Sequence, residues 1–98
     1  MDKLLSMLGL AARAGKTVSG EEMTVDSIRS GKAGIVIIAG DASDNSRKLF
    51  TDKCKYYRVP AYIYGTKESL GRAIGRQERS AIAVEDKGFS EALIKMLD

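Results

Sequence analysis

The side chains that could support catalysis are few and poorly matched in this sequence. The chain has no histidine, which removes the commonest general base and a common metal ligand. Its one cysteine, Cys54, lies on the apolar stripe of a predicted helix, which favours a buried packing residue over a nucleophile. The carboxylate pairs Asp41/Asp44 and Glu85/Asp86 follow predicted strands, where they are expected to cap helices or face solvent. We therefore predict that the chain is not an enzyme.

Glycines that could hold a phosphate are also in the wrong places. Phosphate-binding loops follow a strand and open a helix. Here Gly31 and Gly34 precede a predicted strand, whereas Gly71 and Gly75 lie on or after a predicted helix. The sequence therefore predicts no cofactor, and without histidine it predicts no metal site.

Length and composition indicate one folded domain covering residues 1–98. Hydrophobic residues make up 44% of the chain, charged residues 30%, and there is one proline, which argues against disorder. No apolar run reaches the roughly 18 residues of a membrane span, and the N-terminus does not resemble a secretion signal. The lone cysteine cannot form an internal disulfide, so we predict a cytoplasmic protein with no membrane partner.

Charge alone does not identify a partner. Sixteen lysines and arginines oppose thirteen aspartates and glutamates, for a formal net charge of +3. This mild excess permits nucleic-acid binding without requiring it. The deciding question is whether basic side chains cluster in the folded chain.

Helical periods alternate with short apolar runs along the whole sequence. The periods predict helices at 2–14, 20–31, about 45–57, 66–73 and a final helix carrying Phe89, Leu93 and Met96. Short strands are predicted at 17–19, 35–39, 61–64 and 81–84. The continuous apolar run Ile35–Ala39 is typical of a central strand covered on both faces. This order predicts an α/β fold, a three-layer α-β-α sandwich with a four-stranded mixed sheet.

Four stretches of the chain together resemble a known family. The first is a helix with a glycine at each end, at 20–31, and the second is a central strand that enters an acidic turn, at 35–43. The third is a strand that opens with Val-Pro, at 59–62, and the fourth is a Leu-Gly segment, at 70–75. Together they resemble the L7Ae/L30e ribosomal proteins over roughly residues 3–97. Segments 4–15 and 51–57 are most similar to the bacterial YlxQ-like branch of that family.

The resemblance implies an L30e-like fold that binds kink-turn RNA. In the family, the N-terminus of the second helix meets sheared G·A pairs, and a loop before the last strand embraces flipped bases. This agrees with general physics, since helix N-termini offer free N–H groups and a positive dipole end to phosphate. Distorted RNA is recognised by its shape and unstacked bases. The implied partner is thus a kink-turn or similarly bent RNA, including ribosomal RNA. The protein is expected to be a monomer when it is not bound to RNA.

The family's helix-start motif is not preserved in this chain. That motif is Gly, any residue, Asn, Glu, two residues and Lys, and its last three named positions fall on Glu22, Met23 and Asp26. Glu22 lacks the amide donor, Met23 lacks the acceptor, and Asp26 replaces a cation with an anion. The backbone at Gly20, Thr24 and the helix dipole are expected to remain as contacts.

Basic residues supply the rest of the expected RNA site. Lys16 and Lys32 are expected to gather with Arg76 and Arg79 near the start of the second helix, the alternative being plain solvated charges. The loop 76–80 departs from the family's more apolar pattern. The full set of candidate RNA-binding residues is Lys16, Gly20, Glu21, Glu22, Met23, Asp26, Lys32, Arg76, Gln77 and Arg79.

Other interpretations remain open at this point. A protein-interaction module could keep the fold and lose the RNA site, and it would display an exposed apolar patch. A substrate-recognition domain of an RNA-modifying enzyme is a third hypothesis. Basic residues on the third helix (Lys48, Lys55 and Arg58) are interpreted as a solvated face. Tyr62 and Tyr64 are expected in the core, because alternation places them on the same covered face of the sheet.

Overall fold

The computed structural model describes residues 2–98, which form five helices and four strands in strict alternation. The elements in chain order are α1 (Lys3–Arg13), β1 (Thr17–Ser19), α2 (Glu21–Arg29), β2 (Ile35–Ile38), α3 (Asp44–Tyr57), β3 (Ala61–Ile63), α4 (Lys67–Ala73), β4 (Ala81–Val84) and α5 (Lys87–Leu97). The predicted α/β order is therefore confirmed, with element ends within a few residues of those expected.

The four strands form one mixed sheet in the order β1-β4-β2-β3. Strand β4 is antiparallel to both β1 and β2, and β2 is parallel to β3. Every residue of β2 and β4 is buried, as expected of central strands covered on both faces. The prediction that Ile35–Ala39 lies on a central strand is confirmed.

Helices cover the sheet in two groups. Helix α1 packs against α4 and α5, and α2 packs against α3. Buried apolar side chains such as Leu8, Ile28, Phe50 and Leu93 fill the layers between them and the sheet. The three-layer α-β-α sandwich expected from the sequence is what the structure shows. Within residues 2–98, none of the helices has the length and apolarity needed to cross a bilayer.

The two sheet tyrosines differ in part from the expected core packing. Tyr62 and Tyr64 pack against the core but are only half-buried. The Tyr64 hydroxyl donates to the Asp2 carboxylate at 2.6 Å, and the Tyr62 hydroxyl donates to Asp98 at 2.9 Å. These hydrogen bonds raise the pKa of both phenols. A phenol has a polar end that favours a partner, so these rings pack inward while their hydroxyls reach the first and last turns of the chain.

Candidate nucleic-acid interface

The N-terminus of α2 differs from the other helix starts in the described chain. Helices α1, α3, α4 and α5 are each capped by a side chain, from Asp2, Ser43, Thr66 and Asp86 respectively. The N-cap of α2 is Gly20, which provides no side-chain hydrogen bond. Its φ of 88° lies in the region that favours glycine. Residues 20–23 are exposed, and the first N–H groups of α2 have no side-chain cap at the positive end of the helix dipole.

The loop before β4 is held against α4 by a close backbone approach. The Arg76 N–H donates to the Gly71 carbonyl at 2.8 Å, and the Arg79 N–H donates to the Lys67 carbonyl at 3.0 Å. A Cβ atom on Gly71 would lie 1.9 Å from the Gln77 carbonyl oxygen, which no side chain could tolerate. The Leu-Gly segment of the sequence thus has a structural purpose, because it lets residues 75–79 lie directly on α4.

Arg79 joins this loop to the start of α2. Its Nε donates to the Ser19 hydroxyl at 2.9 Å, and its Nη1 donates to the Glu78 carbonyl at 2.9 Å. Ser19 immediately precedes Gly20, so the guanidinium is half-buried beside the uncapped helix start. A surface depression of about 270 Å³ forms there, lined by Gly20, Glu21, Ser46, Phe50, Glu78, Arg79, Ser80 and Ala81. The arrangement places a fixed cation beside free backbone donors, a combination suited to a phosphate or a base edge.

Arg76 and Gln77 form the exposed crest of the same loop. Both side chains are exposed, and neither forms a side-chain hydrogen bond or ion pair with any of residues 2–98. A second depression, of about 830 Å³, lies between this crest and Arg72 of α4. Two of the predicted candidates, Arg76 and Gln77, thus lie beside Arg79 and extend the surface toward α4.

The three residues that depart from the family's helix-start motif all lie on the solvent side of α2. Glu22 is exposed and Met23 is 59% exposed. Asp26 is also exposed, and its carboxylate lies 3.6 Å from the Arg29 guanidinium. An incoming ligand at the α2 start would meet this acidic and apolar surface beside the free N–H groups. Thr24, expected among the remaining contacts, is fully buried and is not available at the surface.

Two of the ten candidates lie elsewhere, and the expected four-residue basic cluster is wrong. The Lys16 carbonyl accepts from the Glu85 N–H at 2.7 Å, which places Lys16 at the far end of β1 from Gly20. Lys32 lies beyond the C-terminus of α2, beside Glu85. A whole strand and a whole helix therefore separate these lysines from the α2 start. The candidates that the fold brings together are Gly20, Glu21, Glu22, Met23, Asp26, Arg76, Gln77 and Arg79.

The carboxylates considered for catalysis have structural partners. Asp41 accepts from the Lys67 N–H at 2.7 Å, at the first residue of α4, and Asp86 caps α5. Glu85 accepts from the Ser27 hydroxyl at 2.6 Å, a contact between α2 and the end of β4 that the sequence did not reveal. Burial raises the pKa of the Cys54 thiol to about 11. The capping interpretation is confirmed for Asp41 and Asp86, and Asp44 is exposed, as expected. Glu85 neither caps a helix nor faces solvent freely, because it is held by Ser27. Cys54 is buried, as expected.

Comparison with known proteins identifies the family. The sequence matches the profile of the ribosomal protein L7Ae/L30e/S12e/Gadd45 family over residues 2–94. The chain belongs to this family. Among L7Ae/L30e relatives, it is 47% identical over 92 residues to the RNA-binding protein YlxQ of Bacillus subtilis, covering 94% of this chain and 92% of that protein. It is 35% identical to the large ribosomal subunit protein eL30 of Yarrowia lipolytica, covering 94% and 86% of the two chains. The predicted resemblance, including the YlxQ-like branch, is confirmed.

Two solved structures share this fold. A protein of unknown function from Bacillus halodurans superposes with a TM-score of 0.96 at 43% identity, covering 100% of this chain and 99% of that one. The Giardia lamblia 15.5 kD RNA binding protein superposes with a TM-score of 0.81 at 21% identity, covering 98% and 88% of the two chains. The second likeness supports the fold alone.

Proposed function

We propose that this chain, as one domain spanning residues 1–98, is a non-catalytic RNA-binding protein of the translation machinery. Its preferred partner is a kink-turn or similarly bent RNA, bound by a cytoplasmic monomer at the start of α2 and the loop 75–80. The names of its relatives YlxQ and eL30 point to RNA and to the ribosome. The single observation that carries the proposal is the uncapped start of α2 with Arg79 fixed beside it.

The geometry favours bent RNA over a straight duplex. Gly20 and Glu21 at the uncapped start of α2 line one depression of about 270 Å³ together with Arg79, and this site is not a long basic stripe. Straight duplexes are bound through rows of phosphate contacts, whereas bends and bulges offer phosphates and unstacked bases at a single point. A compact site with one fixed guanidinium suits the second kind of target.

Acidic residues at the same place set the expected strength of binding. Glu21 and Glu22 occupy the first turn of α2, and Glu78 precedes Arg79. These carboxylates repel phosphate, so they offset part of the attraction from the arginines and leave a larger share of the selectivity to fit. With about three to five phosphate contacts, log affinity should fall against log salt with a slope of a few units.

The test compares one kink-turn duplex with an unbent duplex of equal length and composition. The proposal expects the intact chain to bind the kink-turn at least about tenfold more tightly, which corresponds to roughly 1.4 kcal/mol of shape selectivity. Titrations at several salt concentrations separate fit from general attraction. Equal affinity for both RNAs would leave only nonspecific electrostatics and would reject the proposal.

A protein-interaction module is the second candidate function, and one observation favours it. Met23 is 59% exposed at a position where the family motif has a glutamate, and Tyr56 and Ile63 are also exposed. An exposed methionine at the start of α2 serves a protein contact better than a phosphate contact. If the chain binds neither the kink-turn nor the unbent duplex, the protein-interaction function becomes the better candidate.

A further inference from the structure

A groove separates the C-terminal ends of α1 and α4, next to the loop that carries Arg76 and Arg79. Its volume is about 530 Å³, within the range of about 300–1,000 Å³ typical of small-ligand sites. The helices meet closely at its floor, where a Cβ atom on Gly9 would lie 3.0 Å from the Ala73 carbonyl oxygen. Gly75, the first residue of the loop, lines both this groove and the depression beneath Arg76. The groove is therefore continuous with the proposed RNA-binding surface.

The chemistry of the groove combines two cations with an apolar wall. Arg13 and Arg72 lie at its rim, and among the described residues that line it there is no carboxylate. Leu10 is 47% exposed and forms the wall together with the half-buried Ile74. Arg72 pairs with Glu68 at 2.9 Å, but both side chains are about 70% exposed, so the pair is weak and exchangeable. The Arg13 side chain has no hydrogen-bond or ion-pair partner among residues 2–98.

A structural explanation of the arginines accounts for only part of this arrangement. Cations in the last turn of a helix complement its negative end, and Arg13 and Arg72 hold such positions in α1 and α4. That role needs no concave surface between the helices and no exposed Leu10. Guanidinium planes beside an apolar wall are the surroundings in which proteins stack unpaired bases and neutralise the adjoining phosphates. Charge and position thus favour an anionic, partly apolar ligand that arrives from the loop side.

We propose that the α1/α4 groove binds unpaired nucleotides of the same RNA, flanking the bent element held at the start of α2. Leu10 would contact a base, and Arg13 and Arg72 would contact the base face and its phosphate. This inference rests on the proposed RNA-binding function and extends it to a second subsite. The ligand class is single-stranded RNA connected to the bound structured element.

The experiment measures the ratio of two affinities: that for a kink-turn RNA with an unpaired tail, divided by that for the same RNA without the tail. The intact chain is titrated with a blunt kink-turn duplex and with a set of extended duplexes. Each extended RNA carries about five unpaired uridines on one of the free strand ends, and each end is tested in a separate RNA. We expect one of the extended RNAs to bind about tenfold more tightly than the blunt one. The variants Arg13→Ala and Leu10→Ser should bring that ratio close to one. The control Lys95→Ala, which removes a last-turn cation from α5, should leave the ratio at its original value.

Each outcome has a distinct meaning. Failure of the intact chain to bind any of these RNAs would reject the proposed function itself. Equal affinity for blunt and extended RNAs would reject the groove while leaving the proposed function in place. A ratio that falls as much with Lys95→Ala as with Arg13→Ala would show general electrostatic attraction only, and would also reject the groove. Retention of the native thermal midpoint by Arg13→Ala shows that a reduced ratio reflects binding and not unfolding.

Discussion

Reversing the charge of Asp26 probes the start of α2 directly. Asp26 occupies the position where the family motif places a lysine, and it lies about 9 Å along the helix from Gly20, from a rise of roughly 1.5 Å per residue. Its carboxylate is exposed, and within residues 2–98 it pairs only with Arg29, at 3.6 Å. The substitution Asp26→Lys therefore removes one negative charge, adds a positive charge and frees the Arg29 guanidinium.

The size of the effect follows from distance and solvent. Two unit charges about 9 Å apart interact by about 0.5 kcal/mol in water, so a full charge reversal contributes about 1 kcal/mol toward one phosphate. Partial desolvation in the complex and the freed Arg29 raise this value toward 2 kcal/mol. We therefore expect Asp26→Lys to tighten kink-turn binding by about tenfold, with a salt slope steeper by about one unit. Losing an exposed (i, i+3) pair costs only about 0.2–0.5 kcal/mol of helix stability.

The assay titrates kink-turn and unbent duplexes at several salt concentrations with Asp26→Lys and a matched control. Asp52→Lys is that control, because Asp52 is also an exposed helical carboxylate paired with one cation, Lys48, at 3.0 Å. The control makes the same change in net charge on α3. It should tighten both RNAs slightly and alike. Equal gains from the two variants, or no gain from Asp26→Lys, would show that the start of α2 is not the RNA site.

Three further predictions address the loop, its support and the core. Arg79→Ala should weaken kink-turn binding by about 1–3 kcal/mol, and Lys55→Ala should have little effect; matched losses in the same titration would place the interface elsewhere. Gly71→Ala should lower the free energy of unfolding by about 2 kcal/mol or more, because the new Cβ would lie 1.9 Å from the Gln77 carbonyl oxygen. Urea unfolding measures this loss, and an unchanged urea midpoint would contradict the contact. The Cys54 thiol has a pKa raised from 9.0 to about 11, so the unfolded chain loses this proton first and stability should fall as pH rises from about 9 to 11. A Cys54→Ala variant that keeps the same pH profile over that interval would refute the assignment.

The order of elements could be predicted because each signal is local. The periods of Leu4 and Leu8 in α1, the apolar run of β2 and the Thr66 cap of α4 depend on neighbours within one or two turns. The structure buries Leu4 and Leu8 and gives Thr66 a full capping box with Ser69. Pattern and local chemistry agree in these elements, so the sequence was sufficient.

The arrangement of the site could be predicted only in part, because it depends on strand pairing. The prediction grouped Lys16 with Arg79, although the antiparallel register of β1 and β4 brings Lys16 to Glu85 and brings Ser19 toward Arg79. Nothing in the local sequence around Lys16 specifies that pairing. The Arg79–Ser19 contact spans 60 residues of chain, and only the assembled sheet brings the two side chains together.

The acidic first turn of α2 has opposite consequences for stability and for binding. Glu21 and Glu22 complement the positive end of the helix dipole, so they stabilise a helix whose N-cap, Gly20, provides no side chain. The same carboxylates oppose any phosphate that approaches the free N–H groups. RNA binding as proposed at this site would therefore derive its energy from Arg79, from backbone donors and from the loop 75–80, and less from net attraction. A target that presents its phosphates and unstacked bases at one point satisfies those groups, whereas a straight duplex meets the carboxylates without engaging the loop. For this reason, the acidic residues that lower the expected affinity should increase discrimination in favour of bent RNA.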